Sequence, residues 1–589
     1  MAIRRYLLVP AGGKGEGMGH LMRCLSLARA LGGKRAILTT FLDSRALSLL
    51  SELIGRRSSI MVTSNPRPTE RWDLVLADKK NTSREELRFL SRLGPVVCLD
   101  EGGDARRIAS YTIDAFPTPP GLSTANISSL GFLGLPRRVR RAPQLPPRKV
   151  LVSFGGEDRA DLSGSFLRAV IAHSLIPSKA LTVIQGPLFA RRQWPQGITV
   201  LTGITDLHAV LGDYDLLVTH FGITALQAMA MGTPVILLNP SAYHRDLGRS
   251  LKMPDIGIGK PKPGVLSRLL ANPPALRRSL DRFAEMRTGM KENLAEYLLA
   301  MPGGSGPECP ACGTGFGEVS ARFPDRTYRR CGDCGIVYLE SFSAHPEDYG
   351  RRYFFQEYKA RYGRTYLEDF EAIRGQGLRR AKTILDLLVD GKEGTILDVG
   401  CAYGPFLDAL RLTGFKAIGI DVSADAVRYV RETLGIPAIR SSWQSLGRER
   451  VSKGGLHGIT FWYVLEHFRD LGTSLEKARS FLASGGVLAF STPNGRGISA
   501  RKSRHDFLLK SPSDHFSILS PRVVCGLLQR HGFEVKKILI TGHHPERFPG
   551  LLGKAAQKNA FFSRIIAAVS RALGLGDTFE VYAVKGEAA

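Results

Sequence analysis

Four of the eight cysteines fall into two pairs, Cys309-Pro-Ala-Cys312-Gly and Cys331-Gly-Asp-Cys334-Gly, with 18 residues between them. Each CxxC makes a tight turn that presents two thiolates, and the glycine behind it lets the backbone curl round a metal. Two such knuckles supply four thiolates to a tetrahedral zinc. An iron–sulfur site or a redox dithiol are the alternatives at this spacing. With all four positions filled by protein, a zinc here is closed and structural. The remaining cysteines, Cys24, Cys98, Cys401 and Cys525, are scattered. That is the usage of a reducing compartment, not of a disulfide framework.

A second constellation is TILDVGCAYGPFLDAL followed by AIGIDVS. It reads as strand, glycine turn and amphipathic helix, then a second strand ending in a carboxylate. Gly400 and Gly404 let the backbone approach a ligand where side chains would clash. Asp421, 21 positions after Gly400, can accept hydrogen bonds from both hydroxyls of a ribose. The dinucleotide fingerprint GxGxxG is absent, so nothing prepares a pyrophosphate seat. An adenosine ligand without a diphosphate is the expectation.

The third begins VPAGGKGEGMGHLMRCLSLARAL. Gly17 and Gly19 keep the loop slim, and His20 stands at the helix start, where the dipole favours the neutral imidazole that suits a general base. Arg23, one turn on, is placed to face an anionic group. Further along, SFGGEDRADLS and VTHFGITALQAMAMGTPVILL each read as strand, turn and helix. Gly155–Gly156 and Gly222–Thr224 would offer backbone N–H groups to phosphates.

These residues need elements to hold them. A chain of 589 residues exceeds one hydrophobic core. Short apolar strands (YLLVP, LVLAD, KVLVSF, DLLVTH, ILDVG, AIGID) alternate with helical stretches, which predicts α/β domains built on parallel sheets. Domains are expected over 1–135, 150–302 and 341–589, with the cysteine block at 307–340. Pro/Arg-rich 136–149, including Arg137, Arg138, Arg140 and Arg141, reads as a linker. The opening MAIRRYLLVPAGG reads as a buried first strand rather than a signal peptide. No apolar run reaches bilayer length, and a cytoplasmic protein is expected. The net charge of +27 suits phosphorylated small molecules, an anionic membrane or nucleic acid. No nucleic-acid module is recognisable, so DNA is not an expected partner.

The motifs DVGCAYGPF, the acidic Asp421, FWYVLEHFRD, GGVLAFSTPN, DHFSILSP and HGFEV resemble, in order and spacing, the class I S-adenosylmethionine (SAM)-dependent methyltransferases. The resemblance covers roughly 380–589 and implies a Rossmann-like domain with SAM as cofactor. It implies that Asp398, Gly400 and Gly404 line the methionine moiety, that Asp421 holds the ribose, and that Ser442 and Trp443 border the adenine. Where the acceptor is a hydroxyl or carbon acid a base is needed. Glu466-His467 and Asp514-His515 lie at the expected edge, and either histidine, His467 or His515, could serve. Small zinc ribbons often precede methyltransferase domains of natural-product and surface-sugar pathways, and this one looks similar.

Two Rossmann-like halves joined by a linker look like the GT-B architecture. More closely, GMGHLMRCLSLA, CLDEGGDARR, VSFGGEDR and the GxTxxQxxxxGTP run resemble the nucleotide-sugar hydrolases of the pseudaminic acid pathway. The resemblance implies that His20 activates water and that the second half holds UDP; Gly17, Gly19, Arg23, Gly155, Gly156, Gly222, Thr224 and Gln227 are the expected substrate-binding residues. Gln227 stands where that family usually has Glu, and His220, Phe221 and Ile223 replace smaller residues. The combined expectation is a bifunctional enzyme of surface-sugar biosynthesis, acting on a UDP-linked acetamido sugar and on a sugar or small-molecule methyl acceptor. A methyltransferase with a non-catalytic sugar-binding module, or an RNA methyltransferase, are the alternatives. Near the end, Leu552, Ala555, Asn559, Phe562, Ile566, Val569 and Leu573 repeat at helical spacing among Lys554, Lys558, Arg564 and Arg571. Such a face more often packs on its own domain than on an anionic membrane, and packing is the expectation.

Overall fold

Short apolar runs bounded by glycine and polar turns become buried parallel strands, as expected where helices cover both sheet faces. The computed structural model describes residues 4–12, 19–54, 59–67, 70–118, 121–136, 143–156, 158–186, 189, 192–204, 207–287, 293–302, 304, 306–342, 353–388, 394–451 and 454–586. Gly17, Arg137, Arg138, Arg140 and Arg141 lie outside them. The chain divides into two units, Met1–Gly303 and Gly304–Ala589.

The first unit holds two sheets. Arg5–Pro10 (β1), Lys34–Leu38 (β2), Ile60–Thr63 (β3), Leu74–Asp78 (β4), Val96–Leu99 (β5), Tyr111–Asp114 (β6) and Ile127–Ser128 (β7) are all parallel. Their order is β3-β2-β1-β4-β5-β6-β7. The second sheet comprises Val150–Val152 (β8), Leu181–Ile184 (β9), Thr199–Leu201 (β10), Leu216–Thr219 (β11), Val235–Asn239 (β12) and Asp255–Ile258 (β13). It is also parallel, in the order β10-β9-β8-β11-β12-β13.

The second unit opens with an antiparallel meander of Glu318–Phe323 (β14), Arg326–Arg330 (β15) and Val337–Ser341 (β16) behind the first cysteine knuckle. Next come Thr395–Val399 (β17), Lys416–Asp421 (β18), Ala438–Arg440 (β19), Leu456–Trp462 (β20), Leu482–Pro493 (β21), Ser517–Ile518 (β22), Phe533–Thr541 (β23) and Thr578–Lys585 (β24). All but β22 form one sheet ordered β19-β18-β17-β20-β21-β24-β23, parallel except at the β24 and β23 edge. β22 instead pairs with β16. Cys309, Cys331, Ile336 and Tyr338 share a hydrophobic cluster with Leu397, Phe461 and Leu475. The meander and the large sheet therefore close over one core. The protein is α/β, with two parallel Rossmann-like sheets, a small antiparallel sheet carrying the cysteines, and a third Rossmann-like sheet.

The basic stretch near the C-terminus differs from expectation. It forms two helices, Gly550–Lys558 and Ala560–Ala572, broken at Asn559, whose side chain caps the second by accepting from the Phe561 N–H at 2.8 Å. Leu552, Phe562, Val569 and Leu573 are exposed, and only Ile566 of the apolar repeat is buried. The satellite cluster of Ile498, Phe548, Ala556, Ile566 and Leu575 takes one narrow face, and the rest of the repeat looks outward.

Between β15 and β16 lies a fully buried ion pair, Arg329 Nε to Glu340 Oε2 at 2.9 Å, with Arg329 also donating to the Gly317 carbonyl. Removing one partner strands the other charge in a dry interior. Arg329→Met should lower stability in urea titrations by about 3–5 kcal/mol, and Arg329→Met with Glu340→Leu should recover most of it.

Candidate active sites and the cysteine cluster

In the second unit the chain leaves β17 and turns through Gly400 (φ 72°), Ala402 (φ 47°) and Gly404 (φ 80°) into the helix Pro405–Leu412. A Cβ at Gly400 would lie 2.5 Å from Val464 Cγ2, and one at Gly404 would lie 2.9 Å from Val430 Cγ2. Both glycines are thus required by backbone sign and by space. Two buried carboxylates hold this turn. Asp398 accepts from Thr460 Oγ1 at 2.6 Å, and burial pushes its carboxyl up to about 7. Asp421 accepts the Ala402 N–H through one oxygen and the Ser423 N–H through the other, both at 2.8 Å. Burial raises the Asp421 carboxyl against the pull of those donors.

Asp398, Gly400, Gly404 and Asp421 therefore meet at one turn. Ser442 follows β19, its hydroxyl 2.9 Å from that of Ser445. Trp443 is a core residue, edge-on to Phe461 and Phe481. The motif comparison missed an aromatic cover. Tyr403, inside the turn, packs against Phe354, Phe355, Tyr366 and Tyr429. Its signal was the aromatic density of YFFQEYKARYGRTYLEDF.

The helical turn Leu465–His467 follows β20, one residue past the Val464 that lies against Gly400. His467 Nδ1 sits 2.7 Å from Asp514 Oδ2. The His467 and His515 rings meet edge to face with centroids 4.6 Å apart. The two candidate bases, chosen as alternatives, thus belong to one cluster. Glu466 completes it: ligand atoms of Glu466, His467 and His515 all lie within 4.8 Å of one another. Its carboxylate is buried beside Thr492, and burial pushes it up to about 7. In the tautomer in which Nδ1–H donates to Asp514, Nε2 is the basic nitrogen of His467. The trio could equally share a divalent cation.

The four knuckle sulfurs lie within 4.8 Å of one another, with Cys309–Cys334 and Cys312–Cys331 each at 3.5 Å. Thiolates about 2.3 Å from a tetrahedral zinc stand about 3.8 Å apart, so the cluster fits that ion. Gly313 (φ 72°) and Gly335 (φ 74°) make the curl behind each pair, donating to the Cys309 and Cys331 carbonyls.

In the first unit, His20 is the second residue of the helix Gly19–Ala30, and its Nδ1 lies 2.7 Å from Asp78 Oδ1 at the end of β4. Arg23 does not reach outward: it donates to Asp78 through Nε and Nη2, and to Asp100 through Nη1. The anionic groups it faces are the protein's own. Burial works against the Asp78 charge, but Arg23, then His20, outweigh it and hold the carboxyl at about 2.

In the second sheet Gly155 (φ 82°) and Gly156 form a turn, but the helix after them starts only at Leu162, so they do not open it. Gly222 does cap the helix Ile223–Ala230, which carries Thr224 and a partly buried Gln227. His220, half-buried beside Gly155, and His244 meet with centroids 5.7 Å apart. Burial lowers both, His244 to about 4 with help from His220 and Lys80. Lys80, just past β4, stands 3.9 Å from the centre of the Tyr243 ring.

Glu466 offers a direct test of the cluster. Held near 7 in the fold against about 4.5 ordinarily, it makes the folded chain bind more protons than the unfolded one between those values. Stability therefore falls as pH rises through that window. Glu466→Gln should melt above wild type at pH 8, and the gap should close as pH falls to about 4.5.

A methyltransferase-domain family model matches residues 372–538, spanning the glycine turn, Asp421, Glu466–His467 and Asp514–His515. No curated protein matches the sequence. Among solved structures the chain is similar to a SAM dependent methyltransferase from Archaeoglobus fulgidus, at 17% identity over 39% of this chain and 100% of that one, with a TM-score of 0.29. It is similar to the plantazolicin methyltransferase BpumL, at 14% identity over 40% and 91%, TM-score 0.27. It is also similar to the cyclopropane synthase MmaA2 from Mycobacterium tuberculosis, at 15% identity over 35% and 81%, TM-score 0.25. The chain carries a C-terminal class I SAM-dependent methyltransferase domain.

Proposed function

We propose that the chain is a bifunctional cytoplasmic enzyme of cell-surface sugar biosynthesis. The C-terminal domain methylates a sugar or small-molecule acceptor, and the N-terminal module hydrolyses or transfers a UDP-linked acetamido sugar. One observation carries the pairing: each half has a histidine held at 2.7 Å by a carboxylate, His467 on Asp514 and His20 on Asp78, at the end of a buried sheet.

SAM supplies an electrophilic methyl on a sulfonium. In this scheme Asp398 takes the methionine ammonium, Asp421 the ribose, Gly400 and Gly404 give the backbone access, and Ser442 and Trp443 border the adenine. The acceptor aligns behind the methyl, so orientation supplies much of the rate. Its lone pair forms the new bond to the methyl carbon as the carbon–sulfur bond breaks. His467, oriented by Asp514 and flanked by His515, takes the acceptor's proton. The four cysteines hold a structural zinc.

In the N-terminal module Nε2 of His20 takes a proton from the attacking water or acceptor hydroxyl, and UDP leaves. Arg23 acts at one remove, fixing the carboxylate that orients His20. Gly19 stands at the substrate side of His20, and Gly155, Gly156, Gly222, Thr224 and Gln227 hold the nucleotide.

Two measurements test this reading. An Asp398 carboxyl near 7 must lose its proton to meet a cation. SAM affinity should therefore rise from pH 5 to about 7 and then level, with proton release seen as buffer-dependent enthalpy. Asp398→Asn should abolish the pH dependence, and a flat wild-type profile would remove Asp398 from the site. For the other half, UDP release from a panel of UDP-linked acetamido sugars should fall about 100-fold or more in His20→Ala. Release unchanged in the variant would exclude His20 as the base. Binding without release in wild type would make the module a sugar-binding domain.

A further inference from the structure

Between Glu546 and Asp577 the sequence has no acidic residue, while Arg547, Lys554, Lys558, Arg564 and Arg571 are cationic. The helices Gly550–Lys558 and Ala560–Ala572 occupy this span as an insertion between β23 and β24. Successive helical residues turn by about 100°, so Phe561, Ile565, Val569, Phe562 and Leu573 fall within one arc of about 120°. A water-facing helix puts polar residues outward. Here the order is reversed: Phe561 is 67% exposed, Leu573 63%, and Leu551 on the first helix 83%. Ile566 and Ser570, the buried pair, lie just beyond one border of the arc, and Arg564 and Arg571 lie beyond the other.

An outward apolar arc edged by cations and free of carboxylates is complementary to one kind of surface, a hydrocarbon layer beneath anionic headgroups. A second copy of the chain fits it poorly. A two-fold contact places the same patch on both sides and so sets these cations against one another. We propose that this helical hairpin is a docking surface for an anionic lipid bilayer, with Phe561, Phe562, Leu551 and Leu573 entering the acyl boundary and Lys554, Lys558, Arg564 and Arg571 meeting the headgroups.

The full-length chain should sediment with vesicles of phosphatidylglycerol in phosphatidylcholine, not with phosphatidylcholine alone, and should release as salt rises. Phe561→Ser with Phe562→Ser, and separately Arg564→Glu with Arg571→Glu, should each weaken partitioning at least about tenfold. Both variants change exposed side chains, and SAM binding, measured alongside, should stay at the wild-type value. No sedimentation of the wild type with anionic vesicles, or equal partitioning of the variants, would overturn the proposal. So would a dimer in sedimentation velocity that dissociates in Phe561→Ser with Phe562→Ser.

Discussion

Strand order reverses once in each parallel sheet: between β1 and β4, between β8 and β11, and between β17 and β20. Crossovers on either side of such a point run over opposite faces, so the loops beyond those two strands part and leave a crevice. The candidate histidines and glycine turns of the three α/β sheets lie at or beside that parting. His20 and Asp78 flank the first reversal, Gly155 and His220 the second, and Gly400 and Glu466 the third. Carboxylates at buried strand ends then stiffen what topology has opened. Asp78 is locked by Arg23, and Asp421 by two backbone N–H groups.

Those strand-end acids were the most legible part of the sequence. ILDVG and AIGID read as strands ending in or near an acid, and the fold has Asp398 and Asp421 at the ends of β17 and β18 on either side of the glycine turn. The same signal stands in LVLAD, but nothing in it identifies Asp78 as the partner of His20. The sequence gives no register across the 58 positions separating His20 from Asp78. The pairing of His467 with Asp514 was hidden for the same reason, as both dipeptides were visible but not the fold that joins them.

Periodicity misled where it was strongest. The repeat from Leu552 to Leu573 has helical spacing, and spacing identifies a face without saying what covers it. Asn559 also fits the repeat, although its backbone N–H closes one helix and its side chain starts the next. Arg23 shows the converse. An arginine one turn past a histidine at a helix start suggests an anionic ligand, but two carboxylates of its own unit, Asp78 and Asp100, take the guanidinium.

The short pairing of β16 with β22 reaches further than its two residue pairs suggest. Val337 and Tyr338, just past the second knuckle, register with Ile518 and Ser517, and the Leu339 N–H donates to the Phe516 carbonyl. Phe516 directly follows His515, so the loop carrying Asp514 and His515 is clamped at one end by the strand the cysteines anchor. Gly472 is bonded to the Pro310 carbonyl of the first knuckle, and a Cβ there would lie 2.5 Å from the Ala311 oxygen. A metal bound by the four sulfurs would thus act as a rivet beside the cluster of Glu466, His467 and His515. Such a rivet would couple the set of that cluster to the occupancy of the four sulfurs.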